Sequence, residues 1–326
     1  MPVKQQMIYS QQGIALLIVL WVMTILTATA LSFSLLTRSE TYGSLTFRDR
    51  MEMQFLAEAG IERGIAEIIY RSVNARQNIT LAGKEPWKTD GTAYYGHLEN
   101  GDYQVRLFDE SGKVSLNGLT DASGIMVKNL LVNLGSPPEE ADTIVDSILD
   151  WKDADDLHRL NGAEDNYYQS LPHPYGAGNA DFASLEELLL VKGVTRDVLY
   201  GTDKRKGLID FLTLHNKTNR INFNAASREL LAALPGMDAA QADQIVAYRE
   251  TAVIMGMADI ASIIGGASAL LAPYVGGQTG GVLTCTIEAA GYRDLKRRGY
   301  PITATVVMEG PQKYRYVYYR SPSENI

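Results

Sequence analysis

The chain has 326 residues, 46% of them hydrophobic and 21% charged, with a formal net charge of -8. That balance suits a globular protein of one large or two ordinary domains, and it argues against bulk disorder and against nucleic acid as the main partner, which requires a basic face. A single cysteine, Cys285, excludes an internal disulfide, and four histidines without close spacing speak against a zinc site.

The first element is apolar. Ile14 to Leu36 carries no charge, and as a helix it spans roughly 34 Å, enough to cross a bilayer core. The leader before it holds Lys4 and the amino terminus but no acid. By the positive-inside tendency that end stays cytoplasmic and the rest of the chain is exported. A secretory signal has a shorter apolar region followed by a small-x-small cleavage site, whereas Thr37-Arg38-Ser39-Glu40 follows here. Helix-compatible sequence then continues without proline to Asn78, with Ala57, Gly60, Ile61, Gly64, Ile65 and Ile68 forming an apolar stripe. The spacing predicts one long helix from the membrane to near Arg71, its second half packed on another element. The alternative is a signal anchor followed by an unrelated helix.

The leader ending in Gly13, with Ile-Ala-Leu-Leu-Ile-Val-Leu opening a continuous helix, resembles the type III signal of type IV pilins and type II secretion pseudopilins. The resemblance implies cleavage after Gly13 by a prepilin peptidase and N-methylation of Ile14. It also implies a glutamate as fifth residue of the mature chain, paired with the amino terminus of a neighbouring subunit. Ile18 stands there instead, and Gln11-Gln12-Gly13 carries no adjacent lysine or arginine. A charge inside the bilayer is costly and is tolerated where a partner awaits it. Its absence points to the filament tip, where no subunit lies above, and is the mark of the K-type minor pseudopilins of type II secretion.

Next, Tyr94–Glu99 and Asp102–Leu107 flank Asn100-Gly101, which predicts a hairpin with a type I′ turn on those two residues. Lys113–Asn117 reads as a further strand or strand end, and Leu283–Ala289, Ile302–Met308 and Tyr314–Tyr319 as strands near the C-terminus. Between Thr120 and Ala272 the pattern is helical and repeats. Leu130-Leu131, Leu134, Gly135, Ala141-Asp142 and Ile144-Val145 are echoed by Leu230-Leu231, Leu234, Gly236, Ala242-Asp243 and Ile245-Val246. Val114-Ser115-Leu116-Asn117 is echoed by Ile221-Asn222-Phe223-Asn224, and Ser184–Leu189 with Gly193 and Val198-Leu199 forms a third, shorter hairpin. A helical insert between strands of a pilin-like sheet again resembles the K-type pseudopilins. The fold class is α+β: a type IV pilin-like fold with a large all-α insert containing helix-hairpin-helix-like repeats. The expected divisions are leader 1–13, membrane and filament-core helix 14–36, pilin-like helix and first strands 37–119, insert 120–272, and closing strands 273–326.

Leu230 to Arg249 is also close to a DNA-binding helix-hairpin-helix, in which backbone amides of a Gly-apolar-Gly hairpin grip a phosphate. Here Asp238 replaces the second glycine, and the first copy has Ser136-Pro137-Pro138-Glu139-Glu140 at that place. A carboxylate repels phosphate and proline lacks the amide donor, so these motifs read as packing units rather than nucleic-acid sites.

The densest run of oxygen ligands is Asp150 to Tyr168, with Asp150, Asp153, Asp155, Asp156, Glu164 and Asp165 as candidate calcium ligands. Leu157 and His158 fall where an EF-hand needs an oxygen ligand and a glycine, so the loop is not an EF-hand. The bland alternative is a solvated acidic cap on the preceding helix. Mutual repulsion of the acids, the lack of disulfides, and Trp151, Tyr167 and Tyr168 as anchors favour the metal. K-type pseudopilins carry a similar Asp-Trp-x-Asp-x-Asp…Gly-Ala-Glu…Tyr stretch, and the resemblance implies calcium there.

No catalytic constellation stands out, so an enzyme is not expected. The reading is a minor pseudopilin capping a type II secretion pseudopilus, single-pass in the inner membrane with its C-terminal domain in the periplasm. The implied partners are the I- and J-type minor pseudopilins, the major pseudopilin and the prepilin peptidase. A minor pilin of a type IV pilus and a membrane-anchored DNA-binding protein are the alternatives.

Overall fold

The structure, a computed structural model, describes residues 12–73, 87–216, 218–276, 283–296, 298–310 and 312–323; the leader up to residue 11 lies outside the described residues. Helix α1 runs unbroken from Gln12 to Val73, two residues beyond the expected end and roughly 90 Å in length. Its apolar N-terminal part is long enough to cross a membrane and is wholly exposed in the protein itself. From Ala57 onward one face turns inward, burying Ala57, Ile61, Ile65 and Ile68. Gly60 and Gly64 bring that face against the sheet. A Cβ on Gly60 would lie 3.0 Å from Ala289 Cβ, and one on Gly64 3.0 Å from Ile287 Cγ2.

Strands β1 (Asp90–Leu98) and β2 (Gly101–Asp109) form the expected hairpin. Its turn differs from expectation. Leu98 pairs with Gly101, so Glu99-Asn100 is the two-residue loop, one position earlier than Asn100-Gly101. Gly101, with φ of 150°, is needed for close packing instead: a Cβ there would strike the Tyr292 carbonyl oxygen and Leu56.

The chain then leaves the sheet. Only Val114-Ser115 of the predicted Lys113–Asn117 strand pairs as a strand, β3 (Val114–Ser115). There follow α2 (Asp121–Asn133), α3 (Pro138–Lys152), α4 (Asp165–Gln169), a 3₁₀ turn at Leu185–Leu190, α5 (Arg196–Tyr200) and the short pair β4 (Gly201–Thr202) and β5 (Arg205–Lys206). The segment closes with β6 (Leu212–Thr213), α6 (Arg228–Ala233), α7 (Ala239–Thr251) and α8 (Met257–Ile264). The sheet resumes with β7 (Thr284–Tyr292), β8 (Tyr300–Gly310) and β9 (Lys313–Arg320), each longer than its sequence signal. The five long strands lie in the order β1-β2-β7-β8-β9, every neighbouring pair antiparallel. The whole insert therefore hangs between two adjacent strands, β2 and β7.

Two separate cores follow from this arrangement. One sandwiches α1 against the sheet through Val105, Leu107, Ile287, Ala289, Ile302, Ala304 and Val306. The other fills the insert and includes Val114, Leu116 and Leu119. Strand β3 pairs in parallel with β6 inside the insert and is not part of the pilin-like sheet. Core membership thus moves the start of the insert from Thr120 back to about Glu110. Its end moves from Ala272 to about Gly276, because Tyr274 and Val275 pack on the insert core and Val275 bridges Ile221.

The repeat appears as packed helical hairpins. Gly135 (φ 97°) joins α2 to α3, Gly236 (φ 80°) joins α6 to α7, and Gly193 (φ 85°) joins the 3₁₀ turn to α5. All three occupy the left-handed region that glycine adopts without cost. The first and last hairpins dock through α2 and α6, where Asn129 Nδ2 donates to the Ala233 carbonyl at 3.0 Å. At the base of the insert, Asn222 Nδ2 donates to the buried Asp109 Oδ2 at 3.1 Å and Asn216 Nδ2 to the Glu110 carbonyl at 2.5 Å. The first of these bonds ties the insert to the end of β2.

Candidate metal centre

Helix α3 sets the site. Pro138 opens it at a position where no amide is needed. Its inward face buries Ile144, Val145, Ile148 and Leu149, and the same face carries Asp150 and Trp151 into the interior at the last turn. Asp150 is fully buried. The Arg159 backbone N–H donates to both of its oxygens, at 3.2 and 3.0 Å, and Arg159 Nη1 donates to Asp150 Oδ1 at 2.7 Å. The same Nη1 reaches Asp153 Oδ2 at 2.7 Å, and Arg159 Nε reaches Asp121 Oδ1 on α2 at 2.9 Å.

Glu164 closes the group. Among the described residues, Asp150, Asp153 and Glu164 bring ligand oxygens within 4.8 Å of one another. Glu164 is 2% exposed, yet neither of its carboxylate oxygens has a hydrogen-bond partner, nor has Asp153 Oδ1. Burial, then the charges of Asp150, Asp153, Asp156 and Asp155, push the Glu164 carboxyl up to about 7. A buried carboxylate without donors is costly; the raised value shows that a proton relieves that cost, and a cation shared with Asp150 and Asp153 would relieve it without protonation. Hard anionic oxygens suit calcium rather than a soft metal.

Three of the six predicted ligands converge and three do not. Asp155 and Asp156 are exposed, and Asp155 Oδ1 accepts the Leu157 amide at 2.9 Å in a turn of its own. Asp165 faces the loop ahead: its Oδ1 accepts the Ala177 amide at 2.6 Å. The reason is steric. Where α3 ends, the chain turns back at Arg159–Gly162, so only residues on either side of that reversal meet. Gly162 lies so close to Asp150 that a Cβ would enter its carboxylate. Asp146 Oδ2 holds the reversal by accepting from Asn161 N at 3.1 Å and Nδ2 at 3.0 Å, and Lys192 Nζ donates to the Gly162 carbonyl at 2.9 Å. Trp151 meets Tyr168 edge-on at 5.0 Å and donates to Glu187 Oε1 at 2.9 Å. Arg159 was not among the sequence candidates. The available signal was a lone arginine inside an acidic run, whose partners only the reversal reveals.

Elsewhere, the hairpin before α7 is already filled. Asp238 accepts the Gln241 amide at 2.8 Å, and Gln241 Oε1 accepts the Asp238 amide at 3.0 Å, a reciprocal cap where a phosphate would otherwise bind. Cys285 is buried in β7, where burial, then Asp109 and Glu110, push its thiol well up and away from reactivity.

Comparison with known proteins bears on the region that holds this centre. Residues 112–201 match the family described as type II secretion system protein K, and residues 216–254 match the helix-hairpin-helix motif. The chain is 32% identical over 201 residues to type II secretion system protein K of Pseudomonas aeruginosa. The P. aeruginosa match covers 60% of this chain and 57% of that relative. The relative from Pectobacterium carotovorum is 27% identical, with 58% and 60% covered. The matched stretch thus spans less than two thirds of these relatives' length, about three fifths. The fold is also similar to a chain from the GspK-GspI-GspJ complex of the enterotoxigenic Escherichia coli type 2 secretion system. The TM-score is 0.64 and the identity 16%, with 87% of this chain and 100% of that chain covered. The pilin-like sheet, the long helix and the helical insert are thus the fold of that chain. The family match at 112–201 holds Asp150, Asp153, Arg159, Gly162 and Glu164. Gly13, Ile14 and Ile18 sit at the start of α1, Ile14 and Ile18 exposed on the apolar segment that fits a single membrane anchor.

Proposed function

We propose that the protein is the tip subunit of a type II secretion pseudopilus, anchored in the inner membrane with its folded part in the periplasm. The carrying observation is the pairing of an uncharged position 18 with a bulky insert set between β2 and β7. A subunit docking from above would need a carboxylate at position 18 to receive its amino terminus, and it would have to avoid the insert. Neither requirement is met, which supports a capping role below which the I- and J-type minor pseudopilins and then the major pseudopilin assemble. The work is structural rather than enzymatic. Before assembly, prepilin peptidase cleaves after Gly13 and Ile14 is methylated.

Calcium belongs to the same reading. Asp150, Asp153 and Glu164 would hold it, and when bound it neutralises three buried or half-buried acids and staples the end of α3 to the Gly162–Glu164 strap. The role of this chain is to keep those acids together while the cap on α7, made by Asp238, leaves the last hairpin free for packing rather than phosphate binding.

The test is Ile18→Glu in the native secretion system. The added carboxylate is expected to cut export of the secreted proteins and to allow subunits to cross-link above this one. Export and subunit order indistinguishable from wild type would refute the tip assignment.

A further inference from the structure

The calcium reading leaves Arg159 unexplained, since a cation already stands among the proposed ligands. Two roles are physically distinct. A competitor would occupy the oxygens that the metal needs and leave on binding. A positioning residue would hold the other oxygens and stay.

The oxygen-by-oxygen pattern separates them. Arg159 Nη1 takes Asp153 Oδ2 at 2.7 Å, while Asp153 Oδ1 is buried and has no partner. Both Glu164 oxygens are likewise buried and unpartnered, and no Arg159 bond reaches them. Asp150 receives Arg159 from its side chain and from its backbone amide, so its carboxylate is fixed in direction as well as in charge. The outer end of the guanidinium is anchored in turn, with Nε on Asp121 Oδ1 at 2.9 Å. Asp121 lies in the first turn of α2 and its side chain is 79% exposed. The guanidinium therefore grips Asp121, Asp150 and Asp153 and leaves Asp153 Oδ1 and both Glu164 oxygens unpartnered.

We infer that Arg159 is a positioning residue of the calcium centre, remaining in place when the metal is bound and presenting Asp150 and Asp153 to it. This rests on the calcium reading above. The planar fork of arginine holds two carboxylates at fixed angles, which the single ammonium of lysine does only in part. Partners of this kind, one shell behind a metal, typically change affinity about 10- to 100-fold when removed.

The experiment is titration of calcium chloride into the full chain in detergent micelles, followed by calorimetry, for wild type, Arg159→Gln, Arg159→Lys and Asp121→Asn. Expected are a Kd at least about tenfold weaker for Arg159→Gln, partial recovery for Arg159→Lys, and weakening of several-fold for Asp121→Asn. Asp121→Asn carries the test should Arg159→Gln fail to fold, since the exposed Asp121 touches the centre only through Arg159. Equal or tighter binding by the Gln and Asn variants would make Arg159 a bystander or a competitor and overturn the inference. Absence of calcium binding by the wild type would instead refute the calcium reading itself, and the inference with it.

Discussion

Replacing Glu164 by glutamine should move stability in opposite directions with and without calcium. In the metal-free protein Glu164 is 2% exposed, with two unpartnered oxygens facing Asp150 and Asp153. A buried charged group left unpaired costs about 1–3 kcal/mol or more, and glutamine removes the charge at nearly the same volume. The insert spans roughly 170 residues, for which 1 kcal/mol shifts Tm by about 2–4 °C. In chelator, at a pH above the raised Glu164 value of about 7, Glu164→Gln is therefore expected to melt about 2–12 °C above wild type. Calcium is expected to reverse the order. With a Kd of ~10⁻⁴ M, common for extracellular sites, 10 mM calcium would stabilise wild type by about 2.7 kcal/mol, or roughly 5–11 °C. The variant, lacking one of three carboxylates, should gain little. The assay is thermal unfolding of the full chain in micelles, followed by the fluorescence of Trp151, which packs against Tyr168 beside the centre. If calcium raises the melting temperature of both proteins equally, Glu164 is not a ligand. If the variant is less stable in chelator, Glu164 has a partner in solution and the argument from unpaired oxygens is refuted.

Two further outcomes concern the frame that carries the site. Gly64→Leu should destabilise the pilin-like half by about 1–3 kcal/mol through overpacking against Ile287 and Leu107. Gly43→Leu, with no atom within 4 Å of its Cβ position, serves as the control, and equal melting curves for the two would show that α1 does not seat on the sheet through that glycine. Asn222→Ala removes a donor from the buried Asp109 carboxylate, which burial already pushes above its ordinary value, at about 1–3 kcal/mol. Hydrogen exchange should then quicken at the Ser111 and Asn222 amides while that of the sheet is unchanged; a uniform response would mean that this bond does not join insert to sheet.

What could be read without coordinates follows from the range of the interactions involved. The apolar run at Ile14–Leu36 and the Ala57–Ile68 stripe need only helical periodicity, and both lie on α1 as expected. Gly135, Gly193 and Gly236 mark three hairpins because a left-handed backbone position selects glycine locally. Gly101 misled for a related reason. Its glycine serves a contact with Tyr292, a residue 191 positions away in the chain, and no local rule distinguishes that use from a turn. Likewise Val114-Ser115 has the pattern of a strand, but its partner Leu212-Thr213 lies in the insert, so the domain boundary moved once the cores were known.

The candidate metal centre divides in the same way. Composition alone marked the Asp150–Asp165 loop as a place for a hard cation, and the sequence determined that membrane helix, pilin-like sheet, paired hairpins and acidic loop would all be present in this one chain. It could not say which acids meet. The return of the chain at Arg159–Gly162 brings Glu164 under α3 beside Asp150 and Asp153, and turns Asp155, Asp156 and Asp165 elsewhere. That choice depends on directions in space, on which oxygens are buried and on where one guanidinium reaches, and those are set only when α2, α3 and the loop pack together.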